Sequence, residues 1–205
     1  FNRFVCFIGP GNNGSDGLSI ARHLACEGYP VRAFMLFDET DWSEELKKQT
    51  QLAERFGVRV HRLAHVDELN SYFSQLNDDF VCIDAIFGTG VRLPVSNFIS
   101  DIINEINQGS PFTVAVDIPT GVSGDLGETQ GQAITAHLTL SVALPKLGQF
   151  VSEGAKKVGE IEVVSAGLPP ALTSGGDKKL LTLEGLAEYA VNRNRFADKK
   201  RFGHS

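Results

Sequence analysis

Nine residues, Gly9-Pro10-Gly11-Asn12-Asn13-Gly14-Ser15-Asp16-Gly17, constrain this chain more than any other stretch. They follow an apolar run, Phe4-Val5-Cys6-Phe7-Ile8. They precede a helical pattern with Leu18, Ala21 and Ala25 on one face and Ile20 and Leu24 beside them. Strand, glycine-rich turn and helix in that order open a parallel α/β unit. Glycines let the backbone turn tightly and let a ligand approach, and free N–H groups at a helix start favour an anion. Gly9, Gly11 and Gly14 fit the dinucleotide fingerprint G-x-G-x-x-G, and Asp38 ends the next apolar run about twenty residues on. The side chains fit it poorly. A carboxylate at the helix entrance, Asp16, opposes the anion such a loop must hold. Asn12, Asn13 and Asp16 read instead as a polar cage for a cation, a water, or a ribosyl and amide ligand.

The rest of the chain repeats the alternation. Residues 31–37 and 58–63 read as strands, the second alternating and nearer an edge. Ser43 is placed to cap a helix over residues 44–56, and residues 67–76 form a shorter one. Further strands are expected at 80–83, 112–116, 138–144 and 160–164, with a helix over 95–107. Strands alternating with helices predict an α/β fold wound on a parallel sheet. Residues 169–179 hold Pro-Pro, Gly-Gly and paired lysines and read as a linker.

Composition narrows the function classes. At 205 residues one sizeable core is the default, and a net charge of −6 gives no sign of a nucleic-acid surface. No apolar run reaches membrane-span length and no signal peptide is visible. The chain opens without Met, directly on a strand pattern, and reads as a fragment. Cys6, Cys26 and Cys82 lack metal-like spacing and read as small hydrophobes of a reducing compartment. The five histidines, His23, His61, His65, His137 and His204, form no metal-like pair.

Polar groups follow four of the expected strands: the Asn12-to-Asp16 loop, Asp84, Asp117 and Lys146. In an open parallel sheet, ligands bind outside the carboxyl ends of the strands. An Asp after a strand is often only a turn former, but four such features on one edge point to a site. Asp84-Ala85-Ile86-Phe87-Gly88-Thr89-Gly90 adds a second glycine turn whose N–H groups suit a phosphate. Asp84, Thr120 and the Asn12 and Asn13 amides offer oxygen donors of the kind potassium, calcium or magnesium take; spacing does not choose among them.

Taken together, these segments resemble the NAD(P)H-hydrate epimerases, the YjeF N-terminal family. The similarity lies in Gly9 to Leu18 with Ala21-Arg22-His23-Leu24 behind it, in Asp84 to Gly90, in Val116-Asp117-Ile118-Pro119-Thr120-Gly121, and in Leu144-Pro145-Lys146. Ser15 stands where the family usually has Gly, and Thr120 where it often has Ser. The resemblance spans residues 5–168 and implies a Rossmann-like three-layer α/β/α sandwich, often dimeric. It implies substrate contacts from Asn12, Asn13, Gly14, Ser15, Asp16 and Asp117, and a phosphate-side loop of Gly88, Thr89, Gly90, Val91, Arg92, Leu93 and Pro94. It also implies a potassium ion held by Asn13, Asp84 and Thr120. The helical segment with which the family begins is missing from this sequence. Residues 180–190 read as helical, and Asn194 to His204 is similar to the entry into the dehydratase domain of the bifunctional family members, with Lys199 and Arg201 departing from that pattern. The domains expected are therefore 1–168, the epimerase-like domain, and 169–205, a linker and the start of a dehydratase domain.

The expected reaction inverts C6 of a hydrated NADH or NADPH between R and S and supplies the S form to a dehydratase. Asp117 is the candidate acid and base, with Lys146 orienting it or holding a phosphate. No redox cofactor is required, since no hydride moves. The expected partners are this small-molecule substrate, a second copy of the chain and a dehydratase, with no nucleic acid or membrane. The expected compartment is the cytoplasm for a bacterial bifunctional protein, or the mitochondrion or the outside of the cell for a eukaryotic single-domain form. Two other readings stand beside this one: an NAD-dependent oxidoreductase, resting on the glycine fingerprint and Asp38, and a non-catalytic YjeF-like binding scaffold. A scaffold is expected to lose its acids, whereas Asp16, Asp84 and Asp117 are all present.

Overall fold

Successive residues of a strand face opposite sides of the sheet, so an unbroken apolar run needs cover on both. That requirement shapes the fold, a computed structural model that describes residues 1–76, 79–90, 92–110, 112–173 and 180. Strands β1 (Phe4–Ile8), β2 (Val31–Met35), β3 (Arg59–Arg62), β4 (Val81–Ala85), β5 (Thr113–Val116), β6 (Leu138–Val142) and β7 (Glu160–Val164) form a sheet in the order β3-β2-β1-β4-β5-β6-β7. Every pairing is parallel. The helices are α1 (Asn12–Cys26), α2 (Glu44–Arg55), α3 (Val66–Phe73) and α4 (Asn97–Gly109). Ser43 caps α2 by accepting from the Leu46 N–H at 3.1 Å, and Ser96 caps α4 through the Ile99 N–H at 3.4 Å.

The alternation sorts the core into two layers. Val5 and Phe7 of β1 join Phe34, Cys82 and the α4 isoleucines Ile99, Ile102, Ile103 and Ile106. Cys6 and Ile8 point the other way, with Leu18 and Ala21 of α1, Met35, Leu46 of α2 and Ile83. The result is the three-layer α/β/α arrangement, and β3 lies at the sheet edge as its alternating pattern suggests. The chain divides into two compact units, Phe1–Leu168 and Pro169–Ser205. In the second, part of the stretch that reads as a linker forms a single helical turn, α5 (Pro170–Thr173), entered through a proline at its first position. The rest of that stretch, the helix expected after residue 180 and the motif from Asn194 to His204 lie outside the described residues.

The glycines of the first loop are there for packing. A Cβ on Gly9 would stand 1.7 Å from the Ile86 carbonyl oxygen, and one on Gly14 would stand 2.1 Å from the Gly9 oxygen. A Cβ on Gly17, inside α1, would stand 2.3 Å from the Ala85 Cβ. Only their absence lets α1 lie directly against β1 and β4. Gly11 meets nothing within 4 Å.

Gly17 gives a test in which two effects have opposite signs. Helix propensity alone makes Gly17→Ala stabilising by roughly 0.5–1 kcal/mol. The clash with Ala85 makes it destabilising by roughly 1–3 kcal/mol. Urea denaturation of the two proteins is expected to show the second; a midpoint unchanged or raised would mean that α1 does not pack this closely.

Candidate functional site

The strand order reverses between β1 and β4, and an open parallel sheet has its crevice at such a point, outside the carboxyl ends of the strands. A cleft of about 890 Å³ lies there. Its walls come from the turn into α1, from the segment between β4 and α4, and from the ends of β5 and β6. Of the residues singled out from the sequence, Asn12, Asn13, Asp16, Gly88, Thr89, Gly90, Arg92, Pro94, Asp117 and Lys146 all line it. Gly14 and Ser15 are buried behind the wall, as the close approach to Gly9 demands. Leu93 does not line the cleft, and Val91 lies outside the described residues. Phe37 and Phe87 also line it, their rings edge to face at 5.7 Å, and give the cleft an apolar wall. Their positions at strand ends were legible in the sequence, but nothing there distinguishes them from core aromatics.

The α1 entrance is open to a ligand. Gly11 precedes the helix without any side-chain cap, so the first N–H groups of α1 keep their donor capacity beside the cleft. Gly88 joins the two walls: a Cβ there would stand 3.1 Å from Asp117 Oδ2 and 3.7 Å from Asn13 Cβ. Partial desolvation, with the Asp117 charge nearby, holds the Asp16 carboxyl above its ordinary value.

Beneath the floor, Asp84 has no exposure. Its Oδ2 accepts from the Thr120 N–H at 2.8 Å, and its Oδ1 accepts from the Thr120 hydroxyl at 2.7 Å and the Ile86 N–H at 3.2 Å. Thr120 Oγ1 in turn accepts from the Phe87 N–H at 3.1 Å. Burial pushes Asp84 up to about 6, against the pull of the Thr120 and Ile86 donors. No cationic side chain pairs with it among the described residues.

Asp117 follows β5 in the left-handed region, φ 72°. The Ile118 N–H donates across it to the Val116 oxygen at 2.9 Å, which makes a γ-turn of the rare positive-φ kind. Ala143, after β6, repeats the geometry with φ 64° and a Leu144 N–H to Val142 oxygen bond of 2.8 Å. The Lys146 ammonium spends its donors on Asp117 Oδ1, on the Val142 oxygen at 2.7 Å and, more loosely, on Ser141 Oγ at 3.4 Å. This ion pair is mostly shielded, with side-chain exposures of 17% for Lys146 and 16% for Asp117.

Other polar features have structural roles. Asp38 pairs with Arg62 and does not line the cleft, so the ribose partner expected of a dinucleotide loop is otherwise engaged. A second hollow, about 710 Å³, is lined by Arg3, Arg32 and Arg59 at the opposite ends of the strands. It lies where α1 and α2 end, and cations there complement the helix dipoles. Arg32 also stacks 4.5 Å over the Tyr72 ring. Burial pushes the Cys6 and Cys82 thiols upward, away from thiolate chemistry.

Known proteins share this chain's features. The family model described as "YjeF-related protein N-terminus" matches residues 2–148. A protein of Oenococcus oeni named "NAD(P)H-hydrate epimerase" is 34% identical over 166 residues, 81% of this chain and 75% of that one. A protein of Moorella thermoacetica named "Bifunctional NAD(P)H-hydrate repair enzyme Nnr" is 34% identical over 203 residues, 98% of this chain; the chain spans only 38% of its length. The crystal structure of yeast ynu0, YNL200c, superposes with a TM-score of 0.63 at 27% identity, covering 76% of this chain and 63% of the yeast one. With the family model matched over most of the chain and the same motifs gathered round one cleft, the chain belongs to the YjeF-related protein N-terminus family.

Proposed function

We propose that the cleft epimerises the R and S forms of hydrated NADH and NADPH, supplying the S form to a dehydratase. The observation that carries this reading is the shielded Asp117–Lys146 pair in the cleft at the β1–β4 switch point. It is supported by the name of the Oenococcus relative, three quarters of whose length this chain covers. Association as a homodimer and coupling to a dehydratase, in the same polypeptide or apart, belong to the same reading.

The substrate carries a hydroxyl on C6 of the reduced nicotinamide ring. The ring nitrogen lone pair expels it, which leaves a planar iminium ion, and water adds from the other face. The proton that the ion pair holds on Lys146 passes through Asp117 to the departing oxygen and is returned by the incoming water, so Asp117 is negative while the ring is cationic. Lys146, bonded to Asp117 Oδ1, holds the carboxylate and is placed to resupply its proton. Phe37 and Phe87 offer a face for a planar ring, and the turn through Gly88, Thr89 and Gly90 suits a phosphate.

The potassium expected from the resemblance fits the residues present. Asp84, Thr120 and Asn13 are a set of hard oxygen donors with one carboxylate, which balances a monovalent ion. The Asp84 charge lacks a counter-ion among the described side chains, and the Asn13 amide, whose nitrogen as placed is buried with no partner, presents its oxygen instead once the amide is flipped. Such an ion would supply positive charge under the cleft floor.

The two alternatives have less support. An oxidoreductase needs Asp38 in the cleft, where it is not. A mere scaffold has no need of a shielded acid–ammonium pair.

Asp117→Asn is expected to slow epimerisation by roughly 10²- to 10⁴-fold. The measurement supplies mixed hydrates, an excess of S-specific dehydratase and potassium, and follows reduced-nicotinamide absorbance once the S form is gone. A near-normal rate would exclude the acid–base role, and a wild-type chain no faster than the spontaneous background would exclude the reading itself.

Asp84 yields a prediction about stability. Its carboxyl binds a proton more tightly folded than unfolded, so in the absence of a cation stability falls as pH rises from 3.8 to about 6. The full loss is about 3 kcal/mol at most. A cation on that carboxylate offsets the loss, so potassium chloride is expected to raise the melting temperature above that in choline chloride at pH 7.5. The difference is expected to shrink by pH 4.5 and to vanish in Asp84→Asn. Equal melting in both salts at pH 7.5 would count against the site.

A further inference from the structure

The Asp117–Lys146 pair is built on backbone that does not hold itself. Both Asp117 and Ala143 stand in γ-turns with positive φ, sparsely populated conformations that persist only where surroundings fix them. One side chain touches both halves of this arrangement. Gln149, 1% exposed, sits at the end of a 3-10 turn (Leu147–Gln149). Its Nε2 donates to the Asp117 carbonyl oxygen at 2.8 Å. Its Oε1 accepts from the Lys146 N–H at 2.8 Å and lies 3.2 Å from the Ser141 hydroxyl.

We propose that Gln149 is a positioning residue for the Asp117–Lys146 pair, clamping the main chain of both partners with one buried amide. The inference rests on the reading of that pair as the reacting centre. Gln149 itself is absent from the cleft lining. Its effect on the reaction therefore passes through Asp117 and Lys146. The amide suits the task because it offers a donor and an acceptor on adjacent atoms of one rigid plane. The Asp117 carbonyl needs a donor and the Lys146 N–H needs an acceptor; a carboxylate supplies only the second, and a methionine neither.

Two readouts separate this role from simple packing. In the free protein, the Lys146 ammonium protons are expected to exchange slowly by NMR, because they are bonded to Asp117 Oδ1 and the Val142 oxygen. In Gln149→Met, which keeps length without polar atoms, exchange is expected to be at least tenfold faster in a protein that still melts cooperatively. This readout needs no substrate, so a wild-type chain without epimerase activity would overturn the functional reading and leave the clamp standing. In the epimerase assay, kcat of Gln149→Met is expected to fall roughly 10- to 100-fold, as for a misplaced reacting group, with KM for the hydrate within twofold.

Gln149→Glu supplies the rescue. A neutral glutamic acid can donate and accept as glutamine does, and its anion cannot donate. The ratio of its kcat to that of wild type is expected to rise as pH is lowered through the titration of Glu at 149. A folded Gln149→Met with unchanged Lys146 exchange would overturn the proposal. So would a variant in which KM rises and kcat holds, or a Gln149→Glu ratio flat with pH.

Discussion

The Asp84 carboxylate lies at the end of a central strand with no exposure, and the cleft is assembled around the bonds it accepts. An unsatisfied carboxylate at that depth would be prohibitive. The chain answers with two donors from Thr120, thirty-six residues on, and one from Ile86. Those bonds fasten the segment after β5 to the segment after β4. Thr120 Oγ1 passes the constraint on by accepting from Phe87, whose ring helps to wall the cleft. Asp117 stands three residues before Thr120, so anchoring one limits where the other can be. The floor and the Asp117–Lys146 pair are therefore parts of one connected structure.

The same logic explains what could be read from residues alone. β1 and β4 were legible because each is an apolar run needing cover on both faces. The cleft was legible because Asn12, Asn13, Asp16, Asp117 and Lys146 are polar where a strand ends and a buried core residue would be apolar. The glycines were legible as special, yet the reason differs from the one their spacing suggests. Of the four glycines from Gly9 to Gly17, Gly9, Gly14 and Gly17 admit neighbouring backbone and side chains, and Gly11 faces open space. For the same reason Gly14 and Ser15 fall behind the wall that they were expected to line. A fingerprint of glycines records close approach without saying what approaches.

Gln149 shows where local pattern stops being informative. Its partners lie three, eight and thirty-two residues away, and a glutamine after a Pro-Lys turn looks like any exposed polar residue. Thr139 and Ser141 are similar: hydroxyls on the inward face of β6, where periodicity asks for apolar side chains. Thr139 satisfies its hydroxyl on the Val158 oxygen at 2.7 Å, and Ser141 lies against the Leu144 oxygen at 3.0 Å. Polar residues on a buried face are departures from local consistency, and such departures gather at functional sites.

The left-handed backbone at Asp117 restricts what can stand there through two independent demands. The carboxyl serves the proposed chemistry, whereas the positive φ serves the turn. Among amino acids with a side chain, Asp and Asn occupy that region with least penalty, and Gly does so freely. Glutamate keeps the charge and loses the turn; asparagine keeps the turn and loses the charge. On the proposed chemistry, a descendant of this chain would thus have a short path, Asp to Asn or Gly at 117, that silences the centre and preserves the fold. The identity of that one residue is accordingly a sharper marker of the proposed chemistry in a relative than overall similarity, which the fold maintains by itself.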